Sequence, residues 1–302
     1  MRQRPFQQVD VFTATPLKGN PLAVVLDGEG LSDAQMQAFA AWTQLSETTF
    51  VLPPSPEGRA GGADYRVRIF TPGGELPFAG HPTLGTAHAW LAAGGQAQAA
   101  DQLVQECGVG LVTLRQQDGH YAFAAPTLRR AEPSTATLTA VLGALGLTAD
   151  EVLAAQDLHN GPHWLGLLLP DVDTVLSLTP DHAALKQLGV KVGVAAKRDS
   201  AQGLIRRANR EARAFATHPD TTDLEVRGFA APIGIAEDPV TGSLNASLAQ
   251  WLMEDGHMPT RYRARQGTAL GRSGEVFVQR DAAGQVWIGG DVVGCVRGEV
   301  RL

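Results

Sequence analysis

Two short stretches each place a polar side chain directly behind a glycine, at the head of a run of small and apolar residues. One is AGHPTLG, with Gly80 and His81; the other ends EDPVTGS, with Gly242 and Ser243. Such runs read as helices, whose first-turn amides have no intrahelical partner and together carry about half a positive charge. A carboxylate or phosphate is drawn to that end, and a glycine lets a ligand approach the backbone closely. Pro82 suits the first helical position, so the expectation is that His81 is the N-cap, with Gly80 just before it. Two such helix starts facing one cleft would make an anion site without any Arg or Lys. Taken singly, His81 and Ser243 also read as plain helix caps.

Two carboxylates lie close to these stretches in sequence or in pattern. Glu47, in LSETTF, follows a helical run and is flanked by apolar residues, and Asp238 lies five residues before Ser243. Moving a proton between carbon atoms needs a group that can take it and give it back. A partly desolvated carboxylate does so because burial raises its pKa toward neutrality. Glu47 is expected to be that group, with a raised pKa. The plain alternatives are a solvated loop glutamate and an aspartate that forms a turn.

Other chemistries find less support. There is no G-x-S-x-G elbow and no obvious base beside Ser243 in sequence, which argues against a hydrolase. His159 and His163 are four apart in HNGPH, but Gly161 and Pro162 interrupt the helix that would align them on a metal. H-E-x-x-H and P-loop motifs are absent, so neither metal nor cofactor is expected. A binding module that keeps the cleft without turnover stays open, and the presence of Glu47 argues against it.

The elements that must position these groups follow from composition and pattern. The chain has 302 residues, 44% hydrophobic, enough for a real core and two domains. Its 25 basic and 31 acidic residues are spread along the chain for a net charge of −6, with no basic block for nucleic acid. No apolar signal region or membrane-length stretch is present, so a cytoplasmic protein is expected, and a homodimer is the default for a soluble enzyme. Cys107 and Cys295 are far apart and read as small core residues. RPFQQVDVF and NPLAVVLDG read as an opening strand pair, and Ser32 with Gln35 as the capping box of a helix on DAQMQAFAAW. TTFVLP and YRVRIF read as strands joined by a mobile, breaker-rich loop at Pro53 to Asp64, and QLVQECGVGLVTLRQ with GHYAFAAP supplies further strands.

The second half repeats the first faintly. Arg68 and Phe70 make an R-x-F strand end, followed after ten residues by Gly80 and a helix closing on Trp90-Leu91. Arg227 and Phe229 make the same R-x-F, followed after thirteen residues by Gly242 and a helix containing Trp251-Leu252. The repeat implies two similar α+β lobes, each presenting a helix start to the cleft between them.

Several of these stretches are similar to the PhzF-like family, named for a phenazine-biosynthesis isomerase. They are GNPLAVV (Gly19 to Val25), SETTFV (Ser46 to Val51), RIFTPGGELPFAGHPTLG (Arg68 to Gly85), EDPVTGS (Glu237 to Ser243), RQGTALGRSGEVFV (Arg265 to Val278) and the closing VWIGGDVVGCVRGEV. The resemblance runs in order from about Phe12 to the C-terminus and is weakest from about Arg129 to Leu224. It implies a diaminopimelate-epimerase-like α+β fold: two pseudo-symmetric lobes, each a central helix wrapped by a curved, mainly antiparallel sheet. Lobe one would be residues 1–127, completed by a strand near 290–302, and lobe two 128–289, with the active site between them. The resemblance further implies cofactor-independent isomerisation of a small amino- or hydroxy-carboxylate, with Glu47 relocating the proton. His81, Asp238 and Ser243 would assist, the amides of Gly80 and Gly242 would hold the carboxylate, and Asn20 would be a further binding residue. The thiol-dependent racemases of this wider fold carry a cysteine at each helix start; His81 and Ser243 stand there here, which disfavours a two-thiol mechanism.

Overall fold

The alternating runs do form strands, and in the computed structural model, which describes residues 2–198 and 222–302, the strands pair in one order twice. The first set opens with β1 (Gln3–Val11) antiparallel to β2 (Asn20–Val25), followed by helix α1 (Asp33–Thr43). β3 (Thr48–Leu52) runs parallel to β2; after α2 (Pro56–Ala60), β4 (Tyr65–Thr71) runs antiparallel to β3. β5 (Gly74–Leu76) folds back on β4, and helix α3 (Gly80–Ala92) leads to β6 (Gln102–Cys107), parallel to β4. β7 (Gly110–Gln117) and β8 (His120–Ala124) complete the set as an antiparallel meander.

The second set starts with β9 (Arg129–Ala131), α4 (Thr135–Leu145), β10 (Ala154–His159) and β11 (His163–Leu168). α5 (Val172–Ser177), α6 (His182–Leu188), β12 (Val192–Lys197), β13 (Leu224–Ala230) and β14 (Ile235–Asp238) follow, then helix α7 (Gly242–Glu254). β15 (Arg261–Gln266), β16 (Gly274–Arg280) and β17 (Val286–Gly289) end it. β10 to β13 pair antiparallel, parallel, antiparallel, just as β1 to β4 do, and β13 takes β14 antiparallel and β15 parallel, as β4 takes β5 and β6. The last strand, β18 (Val292–Arg301), returns to β1 as β9 does to β10, and β8 joins β17 across the two lobes.

Each lobe wraps its sheet around one helix. α3 packs on β1, β2, β3, β8 and β18, and α7 on β10, β16 and β17. Small residues make the close fit possible: a Cβ on Gly85 would lie only 2.6 Å from the Leu22 side chain. The repeated R-x-F has a physical purpose in both lobes. Arg68 grips Glu75 with two hydrogen bonds, of 2.7 and 2.6 Å, across β4 and β5 while lying over the Phe70 ring. Arg227 grips Glu237 in the same way, at 3.0 and 2.8 Å, and lies over Phe229.

Three sequence readings meet the structure directly. The Ser32–Gln35 capping box is present. The stretch from Pro53 to Asp64, read as a plain loop, contains α2: Ser55 caps it, Pro56 starts it, and Glu106 accepts a hydrogen bond from the Ser55 amide at 2.8 Å. A breaker-rich stretch still forms a helical turn because serine and proline are the residues that begin one. Cys107 and Cys295 are free thiols and half buried; Cys107 packs against the edge of the main core, whereas Cys295 sits on β18, most of which faces outward, and is not a core residue. Among the described residues no helix is long and apolar enough to cross a membrane.

The two arginine pairs differ in burial, which makes a stability prediction. Arg227 and Glu237 are 6% and 7% exposed, and Arg68 and Glu75 are 24% and 41% exposed. Glu237→Ala is expected to cost about 3–5 kcal/mol by leaving a buried guanidinium uncompensated, and Glu75→Ala about 0–1 kcal/mol. Urea denaturation of the two variants checks this; equal costs would contradict it.

Candidate active site

Glu47 lies in the turn between α1 and β3, just after Gln44 ends α1 in the left-handed conformation. The next two residues, Thr48 and Thr49, are buried in β3, and Thr86 of α3 donates to the Thr49 hydroxyl at 2.9 Å. This ties the strand to the helix and carries Glu47 to the start of α3, where its Oε2 lies 3.0 Å from Nδ1 of buried His81. Asn20, the first residue of β2, reaches across to lobe two, donating to Asp238 Oδ1 and to the Val240 carbonyl, both at 2.9 Å. Thr241 donates to the other Asp238 oxygen at 2.7 Å.

The two helix starts meet. A Cβ on Gly242 would lie 3.4 Å from the His81 amide nitrogen and 3.5 Å from the Gly80 α-carbon, while one on Gly80 would overlap the Phe123 ring. Phe123 thus excludes a side chain at Gly80, whereas a Cβ at Gly242 would make ordinary contact with the start of α3. Neither helix has a side-chain cap: Ala79 has nothing to offer, and the Thr241 hydroxyl is turned to Asp238. The first-turn amides of both helices keep their capacity to bind an anion.

The expected position of His81 needs correction. The N-cap is Ala79, in extended conformation, whose carbonyl accepts the Thr83 amide at 3.2 Å, so His81 is the second helical residue and Pro82 the third. Proline is tolerated there because the amides of the first turn have no intrahelical partner. His81 is thereby free to bond to Glu47, and its Nε2 is buried without a partner among the described residues.

The electrostatics also correct an expectation. Burial presses the Glu47 pKa upward, but the hydrogen bond and charge of His81 and a hydrogen bond from Ser46 outweigh it, leaving Glu47 below its ordinary value. The carboxylate moved toward neutrality is Asp238, pushed up to about 7 by burial and by the charge of Glu47, against the opposing pull of Thr241, His81 and Asn20. Two carboxylates pushed apart in this way are the usual sign of divided acid and base roles.

The structure thus brings Glu47, His81, Gly80, Asn20, Asp238 and Gly242 to one place, with Ser243 next along α7. Sequence reasoning did not single out Gln266, which is fully buried at the end of β15. Its amide donates to the Asp238 carbonyl and the Thr241 hydroxyl, both at 3.0 Å, and accepts from the Thr241 amide and Asn245 at 3.0 and 2.8 Å. Its motif, RQGTALGRSG, was visible without a role. His159 and His163 stack 4.7 Å apart across the β10–β11 pair, and His163 bonds to Asp157 at 3.0 Å. Among the described residues no three metal-ligating side chains cluster. Two hollows lie elsewhere, about 350 Å³ beside His120 and Phe277 and about 490 Å³ beside Trp90 and Arg297. The first is walled by strands and the second lies at the C-terminal end of α3, so neither receives a helix start.

Paired carboxylates with pKa values pushed apart, at the junction of two helix starts, are a constellation suited to proton transfer. The sequence model of the phenazine biosynthesis-like (PhzC-PhzF) family matches residues 9–298, and the chain belongs to that family. A trans-2,3-dihydro-3-hydroxyanthranilate isomerase from Pseudomonas fluorescens is 32% identical over 97% of this chain and 98% of its own length. Antisense-enhancing sequence 1 from Schizosaccharomyces pombe is 32% identical over 99% of both chains. The crystal structure of a PhzF-family phenazine biosynthesis protein from Bacillus anthracis superposes with a TM-score of 0.81 at 22% identity, covering both chains completely. The protein is a PhzF-family isomerase with the diaminopimelate-epimerase-like fold. Part of the stretch where the resemblance is weakest, 199–221, lies outside the described residues.

The raised Asp238 pKa predicts a pH-dependent stability. The folded protein holds a proton that the unfolded chain releases near pH 4, so ionising Asp238 costs stability as pH rises from about 4 through 7. Asp238→Asn keeps an acceptor for Asn20, loses the one that Thr241 donates to, and removes the ionisation cost. The lost bond is a constant offset, so the variant's Tm relative to wild type is expected to rise from pH 5 to pH 8 in thermal unfolding; a difference independent of pH would contradict the assignment.

Proposed function

We propose that this protein is a cofactor-independent isomerase that moves a proton and a double bond within a small amino- or hydroxy-carboxylate. The observation that carries the reading is the pair Glu47 and Asp238, pushed to opposite sides of their ordinary pKa values at the junction of two uncapped helix starts. The amides of Gly80 and Gly242 hold the substrate carboxylate, with those of His81 and Ser243 beside them.

Glu47 takes the proton from carbon as the C–H bond breaks, and the electron pair passes into the conjugated system. The helix ends stabilise the negative charge that reaches the carboxylate. The same proton then bonds to another carbon, so the double bond moves and no redox partner is needed. In the unliganded site His81 holds Glu47 acidic; a substrate amine or hydroxyl that engages His81 and Asp238 releases that restraint, and burial then raises the basicity of Glu47. The name of the Pseudomonas fluorescens relative describes a substrate of this class, a dihydro-hydroxy amino-carboxylate. The near-neutral Asp238 favours one further reading, two-base epimerisation, in which Asp238 delivers a second proton.

The test is turnover of trans-2,3-dihydro-3-hydroxyanthranilate and a panel of small amino- and hydroxy-carboxylates. Glu47→Gln is expected to reduce kcat by about 10²–10⁴-fold while circular dichroism shows the fold retained. A variant near the wild-type rate would overturn the role of Glu47. Binding by wild type without turnover of any panel member would favour a carboxylate-binding protein.

A further inference from the structure

The β10–β11 turn, HNGPHW, lies where the sequence offered no role, yet it holds the start of α7. Asn160 donates to the Ser243 carbonyl at 2.9 Å, and the indole Nε1 of Trp164 donates to the Ser243 hydroxyl oxygen at 3.2 Å. Trp164 is 3% exposed, faces Leu158 across the strand pair, and has the Lys191 ammonium 5.0 Å from its ring centroid. That cation over the ring adds an attractive contact that helps to hold the indole.

An indole N–H can only donate, whereas a serine hydroxyl can donate one hydrogen bond and accept two. In this contact Ser243 therefore accepts, and its own proton must point elsewhere. Among the described residues no other hydrogen bond involves that hydroxyl. Ser243 is the second residue of α7, beside Gly242, where the amides of the helix start point at the junction with α3.

We propose that Trp164 is a positioning residue: by occupying the Ser243 oxygen as donor, it commits the Ser243 proton to the bound carboxylate. The inference rests on the carboxylate seat described under the proposed function. Ser243 thereby becomes a second kind of donor there, beside the amides, and with its oxygen already holding the indole N–H it has one acceptor site left. A fixed donor bonds more strongly to a charged oxygen than to a neutral one, so the seat favours a carboxylate over its carboxamide, and the residue that makes it so lies on a different element.

The test is calorimetric binding of 3-hydroxyanthranilate and of its neutral carboxamide to wild type, Trp164→Phe, Ser243→Ala and the double variant. Trp164→Phe and Ser243→Ala should each weaken the carboxylate by about 3- to 10-fold, and the double variant should be no weaker than Ser243→Ala. The carboxamide should gain relative to the carboxylate in Trp164→Phe. Additive losses, or equal losses for both ligands, would show a packing role and overturn the proposal. Wild type that binds the carboxylate no better than the carboxamide would overturn the seat itself, and the inference with it. A measurement independent of how Trp164→Phe folds is the ¹⁵N spectrum of the indole groups: Ser243→Ala should shift one resonance strongly. No shift would contradict the hydrogen bond on which the proposal stands.

Discussion

Two helix N-termini are held against each other, and the rest of the site answers that constraint. Each carries about half a positive charge, and at about 5 Å in an effective dielectric near 20 the two repel by about 1 kcal/mol. Side-chain caps would soften this, but neither helix has one. Negative charge comes instead from Glu47 on one lobe and Asp238 on the other, with Asn20 bonding across the join. Both carboxylates cannot ionise cheaply together in so small a space, which is why the charge of Glu47 helps to push Asp238 up. A site that favours negative charge, yet resists a second fixed one, suits the carboxylate of the proposed substrate.

The two lobes reach this arrangement through the same strand pairings and then differ where chemistry requires it. In lobe one the helix start is followed by His81, which can exchange a hydrogen bond with an acid/base group. In lobe two the same position carries Ser243, anchored from behind by Trp164 and Asn160. The supporting arginine pairs differ as well, with the buried one beneath Asp238, since Glu237 and Asp238 are neighbours on β14. Lobe two is thus locked around its carboxylate more firmly than lobe one is.

Much of this was legible in the sequence because backbone demands leave strong residue signatures. Gly80 and Gly242 ahead of small-residue helices announced two close backbone approaches, and the R-x-F repeat announced two equivalent strands. What it concealed was the glutamate partner of each arginine, since Glu75 and Glu237 stand at different intervals from their arginines, across hairpins of different length. His81 was misplaced by two positions because proline is allowed throughout the first turn and so does not mark the cap. The shift of Glu47 had the wrong sign because a pKa depends on the partner that folding supplies, and no spacing links Glu47 to His81. Gln266, Trp164 and Asn160 carry no local signal; only tertiary contact gives them a role.

The proposed function centres on one group carrying a proton between two carbons of a bound carboxylate. The most direct measurement is solvent-deuterium incorporation into each amino-carboxylate that turns over, followed by NMR at partial conversion. A single buried Glu47 should return part of the original proton, so label should enter only the newly formed C–H position and in less than one equivalent. Label entering the newly formed C–H position at the wild-type rate in Glu47→Gln would contradict Glu47 as the carrier.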